Sequence, residues 1–233
     1  MRECEIFGIT KIEEYEMYDY IQPAYDPDYM KRKLRRKKVS ARDSLTSKER
    51  REKSSVIVQH ILDSDFFKKA ETVMLYRAVR GEVQLDTLPD LAPDKKYVYP
   101  LCIDKTRMRA YKSDIADERA WKKGAFGIPE PNPAYADEVN PEQIDLVICP
   151  CTAFDRDYNR LGMGAGYYDR YLEKCENAHL VAVAFDVQEA REVVPVCEYD
   201  VKMQAVITEA GIRCETISAD ADLNLASSLA CET

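Results

Sequence analysis

No uncharged run in the 233-residue chain exceeds nine residues, against the ~20 apolar residues that a membrane-spanning helix needs. A spanning protein is therefore excluded. There is no CxxC pair, and the eight cysteines (Cys4, Cys102, Cys149, Cys151, Cys175, Cys197, Cys214 and Cys231) are scattered, whereas a disulfide framework belongs to short secreted chains. Only Cys149-Pro150-Cys151 forms a close pair. With no second pair and only two histidines, His60 and His179, a tetrahedral metal site is not completed, so structural thiols are expected. Basic residues are outnumbered, giving a net charge of −8 that argues against a nucleic-acid partner. The first thirty residues hold eight acids and two bases. That is neither a signal peptide nor an Arg-rich, acid-poor transit peptide, and the expected compartment is the cytoplasm.

What is present suits one core. At ~100–200 residues per domain the length is one full domain or two small ones, and 45% of it is hydrophobic. Charge is unevenly placed: residues 31–53 carry twelve bases and three acids, a local +9, which leaves −17 for the remainder. Such a run is either a solvated helix face or the site of a polyphosphate.

Residues 1–29 are acidic, hold five of the fifteen tyrosines and read as an appendage. Asp26-Pro27-Asp28 is a helix start, predicting a helix over Pro27–Asp43 with Met30, Leu34 and Ala41 inward. Thr46 and Glu49 form a capping box opening a helix that carries Val56, Ile57, Ile61 and Leu62. Strands are predicted at Thr72–Tyr76, Tyr97–Ile103, Met108–Tyr111, Ile144–Cys149, Leu180–Phe185 and Ala205–Thr208. Continuous apolar runs such as Val181–Phe185 imply strands buried on both faces. Tyr168–Cys175 reads as a helix, and 212–233 as a Ser/Ala/acidic tail. The expected class is α/β: a single three-layer, Rossmann-like domain over 30–211, with a largely parallel, mixed sheet flanked by helices.

The densest chemical signal runs from Asn159 to Leu172. Gly162, Gly164 and Gly166 alternate between a strand and a helix, a pattern that lets backbone approach a ligand and leaves helix-start N–H groups facing it. A tight turn is the plainer alternative. The loop is neither a Walker A sequence nor GxGxxG. Arg160 is a cation able to fork onto phosphate oxygens. Asp169 suits either the helix dipole or a Mg²⁺ ion, which takes one or two carboxylates plus substrate oxygens.

Asp145–Pro150, Ala153-Phe154-Asp155 and Asn159–Tyr171 together closely resemble the 5-formyltetrahydrofolate cyclo-ligase (methenyltetrahydrofolate synthetase) family. Four more segments agree in order: Lys31-Arg32-Lys33-Leu34-Arg35, Gly81-Glu82-Val83, Phe126–Pro131, and Val194-Pro195 with Asp200 and Val206–Glu209. The resemblance covers about 30–210. Ala165 stands where many members carry Gly or Lys, Tyr158 where a turn glycine is common, and Tyr199 where a His is common.

The resemblance implies an enzyme that cyclises 5-formyltetrahydrofolate with ATP and Mg²⁺, through phosphorylation of the formyl oxygen, as a monomer with no nucleic-acid or membrane partner. It assigns ATP to Lys31, Arg32, Lys33, Leu34 and Arg35 and to Arg160, Leu161, Gly162, Met163, Gly164, Ala165, Gly166, Tyr167 and Tyr168. Lys31 and Arg35, four apart, share a helix face. Arg160 and Tyr168 take the catalytic roles. Tyr76, Glu82, Phe126, Tyr167 and Tyr168 face the folate, and Asp169 and Asp200 the metal. Lys95, Lys96, Arg107 and Arg109 are candidates for the glutamate tail, and Trp121 has no assigned role. Two alternatives stand beside this reading: a sugar-phosphate isomerase or CoA-transferase relative, since fold alone does not fix chemistry, and a folate-binding regulator without turnover.

Overall fold

The computed structural model describes residues 26–124 and 129–214. The first helix, α1 (Pro27–Asp43), starts where the sequence predicts: the Asp26 carboxylate accepts from the Asp28 and Tyr29 N–H groups at 2.9 and 3.2 Å, and Pro occupies the first turn. Its inner face differs from the expectation. Lys31, Leu34, Lys38 and Arg42 are buried, while Met30 is exposed and Ala41 only partly covered. The reason is what α1 packs on. Leu34 joins a small cluster with Ala153, Leu161, Ala190 and Val194, and Lys38 donates to the Val187 (3.1 Å) and Glu189 carbonyls. A helix lying on loop carbonyls buries ammonium groups on long apolar stems, and apolar spacing does not report that face.

The next helix, α2 (Ser47–Asp63), begins with the expected Thr46–Glu49 capping box and buries Ile57, Val58 and Ile61, with Val56 turned to solvent. It is followed by α3 (Asp65–Lys69), β1 (Thr72–Met74), α4 (Leu88–Leu91), β2 (Lys96–Cys102), β3 (Met108–Lys112), β4 (Trp121–Lys123), β5 (Pro129–Pro131), β6 (Asp137–Val139), β7 (Leu146–Pro150), β8 (Ala153–Phe154) and β9 (Arg160–Leu161). Then come α5 (Tyr167–Leu172), β10 (His179–Val183), β11 (Ala205–Thr208) and β12 (Gly211–Cys214).

Eight strands form one sheet in the order β12-β11-β10-β7-β1-β2-β3-β6. The five from β11 to β2 are parallel, and β12, β3 and β6 are added antiparallel. Along β7, Leu146 and Ile148 face one core with α2 and α3, while Val147 and Cys149 face a second with Tyr171 and Leu172 of α5. Both faces are covered, so strands read as continuous apolar runs rather than alternating ones. From β1 the chain proceeds outward to β2, and from β7 outward the other way to β10 and β11. The order thus reverses between β1 and β7, and the crevice beyond their carboxyl ends is where such sheets hold ligands.

Three boundaries change. The helix expected at Tyr168–Cys175 is the six-residue α5. The appendage boundary at residue 30 falls inside α1, and the expected tail contributes β12. That edge strand alternates partly buried and exposed residues, with Ile212 39% exposed, so it carries no continuous apolar signal. Residues 1–25 and 215–233 lie outside the described residues, as does Phe126.

Asp155, 4% exposed, ties the β8–β9 turn to the 190s segment. Its carboxylate accepts from the N–H groups of Asp157 (2.9 Å), Asn159 (3.0 Å) and Val194 (2.8 Å) and from Asn159 Nδ2 (2.9 Å). Within this turn Tyr158 takes a left-handed φ of 64° in place of glycine, and its hydroxyl donates to the Cys214 carbonyl at 2.9 Å, binding β12 to the turn. Asp155→Ala leaves four donors without their acceptor, the Val194 N–H among them buried, and is expected to lower the unfolding free energy by about 3 kcal/mol. A urea melt checks it: a midpoint shift worth under about 1 kcal/mol at unchanged slope would mean that the donors find other partners.

Candidate active site

At the carboxyl ends of β1, β2 and β7 lies a cavity of about 430 Å³. The strands supply Tyr76, Arg77, Cys102 and Pro150, α1 supplies Lys31 and Arg35, and the β9–α5 connection supplies Arg160 through Asp169.

Arg160 is the centre of this arrangement, with its side chain 2% exposed. Nη2 donates to Asp169 Oδ1 at 2.8 Å and Nη1 to the Pro150 carbonyl at 3.3 Å, while Nε has no partner. The guanidinium lies 5.5 Å over the Tyr168 ring. It stays charged at any accessible pH. A Cβ built on Gly162 would stand 2.9 Å from Arg160 Nη1, so the first loop glycine is required by close approach. Gly164 has φ +102°, and a Cβ there would stand 3.2 Å from Arg35 Cζ. At Gly166, with φ +65°, a Cβ would stand 2.7 Å from Arg170 Nη1, so each of the three glycines has a guanidinium pressed against its backbone.

Lys31 is 6% exposed; its ammonium pairs with Asp200 Oδ2 and sits 3.4 Å from Cys197 Sγ. Burial opposes its charge, but the hydrogen bond and charge of Asp200 outweigh burial and raise the pKa. Arg35 Nε donates to the Gly162 carbonyl at 2.8 Å, joining α1 to the loop. Burial pushes the Tyr168 hydroxyl well above its ordinary pKa, and that hydroxyl is buried without a partner; it is a proton-bearing donor. The Tyr99 hydroxyl is likewise buried, unpartnered and in the cavity wall. Buried polar atoms without partners are rare in folded proteins, and three of them, in Arg160, Tyr168 and Tyr99, belong to residues lining one cavity.

Glu82 stands in the turn after Tyr76 and accepts from the Val79 N–H at 3.0 Å. Burial raises its pKa, against the Val79 hydrogen bond and the charges of Arg42 and Arg80. Tyr76 gives its ring to the wall, while its hydroxyl is committed to the Val83 carbonyl at 2.9 Å. The Tyr167 hydroxyl is similarly committed, to the Asp104 carbonyl at 2.8 Å.

Most sequence-predicted site residues therefore meet. Leu161, Met163, Ala165, Gly166 and Asp200 also line the cavity. Arg32 and Lys33 do not; both are exposed, and Leu34 is core. Only every third or fourth residue of a helix faces one direction, so a contiguous motif overstates the contact. Lys95, Arg107 and Arg109 are occupied elsewhere, Lys95 by the Lys68 and Ala70 carbonyls, the arginines by Asp104 and Glu138; neither these three nor Lys96 lines the cavity. Among the lining residues not anticipated are Tyr99, Trp121 and Arg77. Trp121 meets Tyr99 edge-on at 5.0 Å, and Arg77 lies 5.1 Å over the indole. The signal available was a lone tryptophan beside the Phe126–Pro131 motif. Cys149 and Cys151, which adjoin the site, are buried with thiols pushed up to about 12 by burial, so neither is a nucleophile at neutral pH.

For a divalent cation, the two expected ligands, Asp169 and Asp200, both line the cavity, each already against a cation. Among the described residues no group of three or more ligating side chains occurs. This donor set fits Mg²⁺ carried by substrate phosphates, which needs only one or two carboxylates.

A family model described as the 5-formyltetrahydrofolate cyclo-ligase family matches residues 28–209. The chain is 29% identical over 166 residues to a 5-formyltetrahydrofolate cyclo-ligase of Haemophilus influenzae, covering 70% of this chain and 88% of that one. It is 28% identical to the enzyme of that name from Arabidopsis thaliana, described as mitochondrial, covering 70% and 68%. Among solved structures, Aquifex aeolicus 5,10-methenyltetrahydrofolate synthetase superposes with a TM-score of 0.70 at 32% identity, over 79% of this chain and 92% of that one. Among the described residues no helix is long and apolar enough to cross a membrane.

The raised pKa of Glu82 has a measurable sign. A carboxyl whose folded-state value exceeds its free value contributes stability that is full below the ordinary carboxylate range and is lost as pH rises through the folded value. Glu82→Gln is expected to match or exceed the parent Tm at neutral pH, with the difference vanishing in acid. A parent that gains stability over Glu82→Gln as pH rises would show instead that Arg42 and Arg80 dominate burial.

Proposed function

The chain belongs to the 5-formyltetrahydrofolate cyclo-ligase family, and from that premise we propose that its cavity joins 5-formyltetrahydrofolate and ATP, giving 5,10-methenyltetrahydrofolate, ADP and phosphate. The isomerase, transferase and non-catalytic alternatives fall with the family match. The observation that carries the reading is the unsatisfied, buried donor set of Arg160 and Tyr168 beside a cation-packed glycine loop.

A formamide carbonyl is a poor electrophile. Transfer of the γ-phosphoryl to the formyl oxygen forms an O–P bond as the β,γ bond breaks and ADP leaves. The N10 lone pair then adds to the formyl carbon, N10 loses its proton, and the C–O bond breaks with phosphate as leaving group. Little covalent work is left for the protein; it must position, neutralise charge and exclude water. Lys31 and Arg35 hold the polyphosphate from α1, and the Gly162–Gly166 backbone holds it from the other side. Arg160 has Nε left to bind the oxygen that is being phosphorylated, and Tyr168 supplies a neutral O–H. The Glu82 carboxylate accepts pairwise from amino and ring N–H groups of the pterin, and Tyr76 and Trp121 flank its flat ring. Mg²⁺, held by Asp169 and Asp200 with the phosphates, would supply charge neutralisation for the transferring group. The reading carries with it a monomer working in the cytoplasm. The Arabidopsis relative is described as mitochondrial, so compartment varies among the relatives.

Mixing protein, 5-formyltetrahydrofolate, ATP and Mg²⁺ is expected to give the absorbance of methenyltetrahydrofolate, with no signal when ATP is left out; no ATP-dependent signal would end the proposal. A charge-assisted hydrogen bond is worth ~1.5–3 kcal/mol, so Lys31→Ala and Arg35→Ala are each expected to raise the KM for ATP about ten- to a hundredfold. Lys33→Ala, exposed and off the cavity, is the control. Unchanged ATP dependence in both variants would remove α1 from the nucleotide site.

A further inference from the structure

A second cavity, of about 410 Å³, opens beside the first, and Met163 of the glycine loop forms a wall of both. Its other lining residues include Arg42, Arg50, Arg80, Asp43 and Gly81. Arg42 is 1% exposed, yet its Nε and Nη1 have no hydrogen-bond partner. The carboxylates in reach are Asp43, 3.9 Å away without a hydrogen bond, and Glu82, which lines the first cavity. A buried guanidinium cannot shed its proton, and a buried charge needs a partner. The adjoining cavity, with two more arginines, is the place from which an oxyanion can reach it.

We propose that this cavity receives the nucleoside end of the nucleotide, with Arg42, Arg50 and Arg80 on its ribose-proximal phosphate and Asp43 on a ribose hydroxyl. The inference rests on the ATP reading above and extends it. Three observations favour a nucleotide over the other anionic source, the carboxylates of a folate tail. Lys31, Arg35 and Arg42 follow one face of α1 from the first cavity into the second, over about 16 Å at 1.5 Å per residue, comparable with an extended nucleoside triphosphate. The glycine loop borders both cavities, so a triphosphate lying on it continues into the second. Asp43, with its side chain 58% exposed, repels a carboxylate but accepts from a hydroxyl.

The test uses Arg42→Gln and Arg80→Asn. Arg80 has φ 51°, a conformation Asn tolerates, so Arg80→Asn decides if Arg42→Gln fails to fold. Lys48→Ala, exposed on α2, controls for bulk charge. Calorimetry measures binding of ADP and AMP, and turnover gives KM for ATP and for mono- and triglutamyl 5-formyltetrahydrofolate. Expected is at least a tenfold loss of AMP and ATP affinity, with the mono- and triglutamyl KM values moving together by a smaller factor, since both charges also act on Glu82. Nucleotide affinity within twofold of the parent overturns the proposal, and a loss confined to the triglutamate overturns it in favour of the folate tail. If the parent binds nucleotide through Arg80 but converts no 5-formyltetrahydrofolate, the cyclo-ligase reading fails while this subsite stands.

Discussion

Arg160 sets the terms for everything around it. A permanent charge with 2% of its side chain exposed needs a carboxylate and hydrogen-bond acceptors within reach, since an unmatched one costs several kcal/mol. Asp169 on α5 and the carbonyl ending β7 meet that need, so the strand, the glycine loop and the short helix are mutually placed by one side chain. The same group leaves 2.9 Å between Nη1 and any Cβ at position 162, so a side chain there would have to displace the guanidinium. What remains is one buried Nε without a partner, in a residue that lines the cavity, so the group that organises the site is also the one with a donor left over.

The sheet explains why the site is where it is. Strand order reverses between β1 and β7, and the loops leaving their carboxyl ends part there to open a crevice. Into it the fold brings α1, whose cations come from the local +9 of a chain that is −8 overall. The cleft wall sets four cations, Lys31, Arg35, Arg77 and Arg160, among carboxylates, so a polyanion is met there by individual side chains rather than by a net positive surface.

Much of this was readable in the residues, in proportion to how local its cause is. The start of α1 and the Thr46–Glu49 box follow from capping chemistry within four residues, and both stand as expected. The buried strands were legible because a doubly covered parallel sheet writes itself as unbroken apolar runs. The inner face of α1 was not, because its partners are loop carbonyls more than 120 residues away, which leave no apolar period. At the site, Arg160, the glycines, Glu82 and Asp200 were legible through the ordered motifs of a family. Trp121, Tyr99 and Arg77 were not, since an aromatic wall assembled from two strands looks like ordinary core in one dimension. Arg32 and Lys33 were over-included because a motif is contiguous and a helix face is not.

The placement of α1 has a consequence for how the molecule is made. It is the first described element to be synthesised, yet its anchors at Gly162, Val187, Glu189 and Asp200 lie 127 to 169 residues downstream. Docking must close loops of that length, so α1 waits undocked until nearly the whole sheet exists. Leu34 is the lone apolar residue on its buried face, and its other holds are ammonium and guanidinium groups on carbonyls and on the Asp200 and Glu192 carboxylates. The cleft that α1 helps to line therefore depends on contacts that only the nearly complete chain supplies. A native sheet with α1 detached would be a species of the same chain that looks folded by its backbone but has no site.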